Sequence, residues 1–138
     1  MTKTNGNSKL ILEKLWQLAK ANSGYFKLDN DSTFMPVTIE IIEKTVISIC
    51  HYSKLNDDPM RDPEVLLWRN DNGDYFPFYF RNDYAGIEDI IGETENNKLT
   101  VHDKRHQASL AEFTDILMEN IGHQQFGRSM LSELNGKL

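Results

Sequence analysis

Between two stretches that read as β-strands, the run His51-Tyr52-Ser53-Lys54-Leu55-Asn56-Asp57-Asp58-Pro59-Met60-Arg61-Asp62-Pro63-Glu64 crowds an imidazole, three aspartates and a glutamate around two prolines. Carboxylates and a histidine held together can gather a hard divalent cation such as Mg²⁺ or Mn²⁺ and leave positions open for water. His51, Asp58, Asp62 and Glu64 are the ligands such a centre would use. Their spacing fits no calcium loop, which needs acidic or amide groups at alternate positions and a central glycine, and this stretch contains no glycine. The ordinary role of such residues is to bind their own backbone in turns, with the prolines stiffening the chain. On either reading the stretch is expected to be an inter-strand loop.

A second pair, His102 and His106, stands four apart, a spacing that brings imidazoles together only if that stretch is helical. Lys104-Arg105-His106 reads more simply as a solvated basic patch. Nucleophile elbows, Walker loops, dinucleotide glycine fingerprints and zincin motifs are all missing from the sequence. Cys50 is the single cysteine and lies in an apolar strand pattern, the setting of a buried inert thiol, and it precludes an internal disulfide.

The elements that must position these groups follow from periodicity. Ile11, Leu12, Leu15, Trp16, Leu18 and Ala19 fall at helical spacing, with Asn7 or Ser8 as the cap and Gly24 as the stop. Pro36 to Ile42 and Thr45 to Tyr52 form a hairpin in which Ile47, Ile49 and His51 share one face, and Val46, Ser48, Cys50 and Tyr52 the other. A second hairpin, Val65–Arg69 with Tyr75–Phe80, turns through Asn70-Asp71-Asn72-Gly73-Asp74. Pro77 marks its strand as an edge or as the site of a bulge. Strict alternation puts Phe76, Phe78 and Phe80 toward a core, and leaves Tyr75, Pro77 and Tyr79 as an amphipathic binding face. Lys98–Val101 reads as a last strand. Ser109-Leu110-Ala111-Glu112 reads as a capping box opening a second helix through Phe113, Ile116, Leu117 and Ile121, with Gly122 as terminator. The expected fold is α+β: an antiparallel meander of about five strands covered on one face by an N-terminal and a C-terminal helix. A chain of 138 residues suits one domain, 1–138, with 1–7 and 128–138 as candidates for flexibility; Met130, Leu131 and Leu134 would suit a short added helix.

A net charge of −6, with scattered bases, disfavours non-specific binding to duplex DNA. With no apolar run near the ~20 residues of a membrane span and no signal-peptide pattern, a cytoplasmic protein, monomeric or a small homo-oligomer, is expected.

The segment from Phe34-Met35-Pro36-Val37 through His51-Tyr52, Asn56-Asp57-Asp58-Pro59-Met60-Arg61-Asp62-Pro63-Glu64 and Tyr75-Phe76-Pro77 to Gly86 resembles small bacterial domains of unknown function carried on mobile elements, phages and conjugative plasmids. Their shared progression is His-Tyr, Asn-x-Asp, Met-x-Asp-Pro-Glu. Asp57 stands here where a glycine is the expectation. The resemblance implies a shared fold and a shared loop, and brings no activity.

Three functions fit. A non-enzymatic binding module, an accessory of a mobile element, would meet an unknown protein or nucleic-acid partner through His51, Tyr52, Asn56, Asp58, Met60, Asp62, Glu64, Tyr75 and Tyr79, with no cofactor. A metal-dependent hydrolase-like enzyme would draw His51, Asp58, Asp62 and Glu64 within a few ångströms of one another. An acidic inhibitor of host defence would imitate nucleic acid by aligning many carboxylates on one face. The balance leans away from catalysis.

Overall fold

A computed structural model describes residues 1–29, 36–55 and 58–126. Helix α1 spans Gly6–Ala21. It is followed by β1 (Tyr25–Leu28), β2 (Val37–Glu43), β3 (Val46–Leu55), β4 (Asp58–Arg69), β5 (Tyr75–Asn82) and β6 (Ile87–Ile90). A small hairpin of β7 (Gly92–Glu95) and β8 (Lys98–Val101) comes next. Helix α2 spans Lys104–Ile121 and continues into a π-helical turn, Gly122–Phe126. The first six strands form one sheet in sequence order with every neighbour antiparallel, so the α+β meander stands, with six strands.

One face of the sheet packs against both helices. Ile11, Leu12, Leu15, Trp16 and Ala19 of α1 and Leu117, Met118 and Ile121 of α2 meet Val37, Ile39, Ile47, Ile49, Val65, Leu67 and Tyr75. Each fully buried large side chain here contributes about 1.5–3 kcal/mol relative to exposure. The other face is covered in part by the β7–β8 hairpin, whose Leu99 and Val101 pack with Val46, Leu66, Trp68, Phe76, Phe78 and Tyr79. The hairpin closes tightly because position 92 is glycine: a Cβ there would stand 2.5 Å from the Thr100 carbonyl oxygen.

Both helices begin earlier than their apolar periodicity implies. Asn5, not Asn7 or Ser8, caps α1 by accepting from the Ser8 amide, and the buried Ser8 hydroxyl donates to Asp115 of α2 at 2.6 Å. In α2 the cap is Asp103, which accepts from the His106 amide; Ser109 is exposed in the helix body and opens no capping box. The first turn of α2 escapes an apolar reading because polar Gln107 anchors it, fully buried, between the Pro77 carbonyl at 3.1 Å and the Thr2 amide at 2.7 Å. Gly24 ends α1 as expected, at φ +90° with its amide on the Ala19 carbonyl. His102 lies before the cap, so it and His106 do not share a helix face.

The face assignment along β5 is the largest correction. Leu66 pairs with Tyr79 but Leu67 pairs with Pro77, which leaves Phe78 as an extra residue in a bulge. Alternation therefore reverses there. Tyr75 and Pro77 are buried, with Tyr75 in the helix-side core, while Phe76, Phe78 and Tyr79 join the cluster on the other face, and Phe80 returns to the helix side against Phe113. Pro77 is tolerated beside this bulge, in a part of β5 that β6 does not reach, since β6 pairs only from Tyr79 to Asn82.

Candidate functional site

The acidic run of residues 51–64 is no loop. Its described residues lie on β3 and β4, whose backbones pair from Val46↔Trp68 out to Leu55↔Asp58; positions 56 and 57, Asn56 among them, lie outside the described residues. The β2 ladder on β3 ends at His51 and the β5 ladder on β4 ends at Glu64, so among the described residues the outer part of the hairpin extends past its neighbours as a two-stranded arm. This explains Pro59 within a strand: its flank has no neighbouring strand that needs an amide. Pro63 sits where the register shifts, between Cys50↔Glu64 and Tyr52↔Arg61.

That shift sends the proposed ligands to different places. His51 lies on the helix-facing side with Ile47 and Ile49, 6% exposed, and its Nε2 has no hydrogen-bond partner. Burial lowers the readiness of this imidazole to take a proton, and the charge of Asp62 opposes that only in part. Asp62 accepts from Asn82 Nδ2 at 3.1 Å. Glu64 belongs to the opposite face, where it accepts from the Ser48 hydroxyl at 2.8 Å. Asp58 is exposed near the arm's end and Met60 is half-buried. Among the described residues no three His, Cys, Asp or Glu side chains gather as a metal site, so the quartet that a hydrolase would need is not assembled. Cys50 is buried, and burial first, then the charge of Glu64, pushes its thiol up to about 12, away from the thiolate form.

A different set of residues does come together, on the sheet face opposite the helices. Arg61 donates to Asp83 from both its backbone amide (2.7 Å) and its Nε (3.3 Å), and also faces Glu64 at 3.8 Å. Arg81 donates to the other oxygen of Asp83 at 2.9 Å and reaches Glu88 at 3.5 Å. Glu88 in turn accepts from the Tyr79 hydroxyl. The result is a lattice of alternating charge across β3, β4, β5 and β6: Ser48, Glu64, Arg61, Asp83, Arg81, Glu88, Tyr79. The backbone amide of Arg61, followed by the two guanidinium groups, brings the Asp83 carboxyl down to about 2. Tyr79 is raised above its ordinary value by burial and by its bond to Glu88. Tyr52, pushed up to about 12 by burial and by neighbouring Cys50, flanks the lattice at the base of the arm. Ile90, paired with Tyr79 across the strands and 67% exposed, flanks it at the other edge.

Of the residues singled out from the sequence, Tyr52, Glu64 and Tyr79 share this face; His51 and Asp62 lie on the reverse, and Tyr75 is core. Arg61, Arg81, Asp83 and Glu88 were missed as site residues. Their one sequence signal is period-two spacing of opposite charges, Arg81 with Asp83, in a strand that also carries Tyr79.

Among the described residues no helix is long and apolar enough to cross a membrane. A search of curated proteins finds no match, and a search of solved structures finds none. A family model, described as a domain of unknown function (DUF6908), matches residues 7–127, from the first helix to the turn after the last and well beyond the Phe34–Gly86 stretch that carried the resemblance. With all but the first residue of α1, the whole of α2 and every described strand inside that match, the chain belongs to the DUF6908 family.

Proposed function

We propose that this chain is a non-enzymatic binding module that receives a protein partner on the open sheet face, between the arm and β6. The carrying observation is the charge lattice. Both arginines are already committed to carboxylates, which fixes the side chains in place before any encounter and lowers the ordering cost of binding. Exposed Tyr52 and Ile90 supply apolar contact at the two margins.

The same pairing favours one class of partner over the others. A nucleic acid is held by a surplus of unpaired cations over its phosphates, and here two arginines face Glu64, Asp83 and Glu88. A mixed face suits a protein surface of complementary mixed charge. It does not suit nucleic-acid mimicry, which asks for rows of carboxylates without cations between them. A role as an accessory of a mobile element is consistent with the resemblance of the His51–Glu64 segment, and the partner would then be a protein of that element or of its host.

Placing a photo-crosslinking residue at Tyr52, at Ile90 and, as a control on the helix side, at Ile116 tests this in extract of the native host. Adducts are expected from the first two positions and not from the third, and Arg81→Glu should abolish them while the protein stays folded by circular dichroism. Adducts of equal yield from position 116, or adducts that persist in Arg81→Glu, would overturn the assignment.

A further inference from the structure

The end of the sheet away from the arm holds a second feature. The last turns of α1, the β2–β3 turn and the end of β4 enclose a cavity of ≈480 Å³, inside the range of about 300–1,000 Å³ usual for small-molecule sites. Its apolar wall is Trp16 and Ile41, and three cations line it, Lys20, Lys44 and Arg69, against one carboxylate, Asp71. In a protein with a net charge of −6 that is a local inversion of sign.

The cations differ in what else they do. Arg69 is fixed: its Nε and Nη2 donate to Glu13 at 2.7 and 3.1 Å, and its guanidinium stacks 5.1 Å over the Trp16 ring, which leaves Nη1 uncommitted to that carboxylate. Lys20 answers the partial negative charge at the end of α1. Lys44, on the β2–β3 turn, has no such duty, and neither lysine has an ion-pair partner among the described residues.

We propose that this cavity binds a small organic monophosphate with a flat ring, its ring against Trp16 and Ile41 and its phosphate between Lys20 and Lys44. Phosphate supplies the acceptor oxygens that two ammonium groups can share, and the apolar wall accounts for the ring. The site is separate from the open sheet face, and either can stand without the other.

A Trp68→Phe protein leaves Trp16 as the only indole, so its emission reports the cavity directly. Three probes divide the question: adenosine 5′-monophosphate, inorganic phosphate and adenosine. The monophosphate is expected to give a saturable change at least about tenfold tighter than either of the others, weakening about tenfold or more in a Lys20→Glu, Lys44→Glu protein, as exposed cation contacts to an anion should. Calorimetric titration of the wild-type chain with the same compounds gives the answer if Trp68→Phe does not fold. No saturation by any probe up to about 10 mM, a range that reaches even weak sites, would overturn the proposal. So would inorganic phosphate or adenosine binding as tightly as the monophosphate, or unchanged affinity after the two lysine reversals.

Discussion

The molecule builds the same trio twice, a tyrosine and an arginine sharing one glutamate, and puts the two copies on opposite faces of the sheet. On the helix side Tyr75 donates to Glu13 at 2.7 Å and Glu13 takes two bonds from Arg69. On the open face Tyr79 donates to Glu88, which Arg81 approaches at 3.5 Å. The first is roofed by α1, with Tyr75 fully buried; in the second Glu88 keeps 49% of its side-chain surface in water. Identical chemistry thus serves two ends. With its tyrosine fully buried and its ion pair part-buried, the first trio ties α1 to the β4–β5 turn. Left more in solvent, the second adds little to stability.

That contrast can be broken by mutation. The largest effect is expected from Tyr75→Ala, about 3–5 kcal/mol by denaturant unfolding, since it empties a fully buried aromatic site. Tyr79→Ala should cost clearly less, and equal losses would mean that the faces are not energetically distinct.

Glu13→Gln sharpens the comparison through pH. Burial alone would raise the Glu13 carboxyl, but the bonds from Arg69 and Tyr75 and the charges of Arg69 and Lys9 outweigh it and hold the group below its ordinary value of 4.5. A carboxyl depressed in the folded state adds stability that is complete above its unfolded value and fades as pH falls through the folded one. The wild type should therefore lose stability on acidification below about pH 4.5, and Glu13→Gln should flatten that loss. At neutral pH the variant should be weaker by about 1 kcal/mol, a modest figure because Glu13 and Arg69 are 31% and 27% exposed and partly screened. A pH profile of melting temperature identical to the wild type would remove Glu13 from the account.

The smallest effect belongs to the open face. Arg81→Ala is expected to leave the melting temperature unchanged within the precision of a thermal scan. A clear drop would make the lattice a structural element first and weaken its claim as a docking surface.

Much of the frame was legible in the chain. Ile11, Leu12, Leu15, Trp16 and Ala19 announce α1 because helical period and burial coincide, and Asn70 to Asp74 announce a turn by their backbone preferences. What misled was punctuation. Pro59, Pro63, Asp58 and Asp62 imply a loop by composition, yet they lie on a strand, since an arm past its neighbours and a register shift both accept residues that a central ladder rejects. The lattice was illegible for another reason. Arg61 and Asp83 meet only because the meander lays their strands side by side, a long-range fact that no local window contains.

Phe78, the spare residue in β5, has a consequence for how this strand can vary. Were it deleted, Leu67↔Pro77 and Leu66↔Tyr79 would become successive pairs of a regular ladder, so Tyr79 and Arg81 would keep the open face and Phe80 the helix side, and the loss would be the ring that Phe78 packs beside Leu99 and Val46. Exchanging one aromatic ring for another there is mild by comparison. The bulge could be lost without exchanging the inside and the outside of this strand; the ring it carries could not be lost without opening the smaller core.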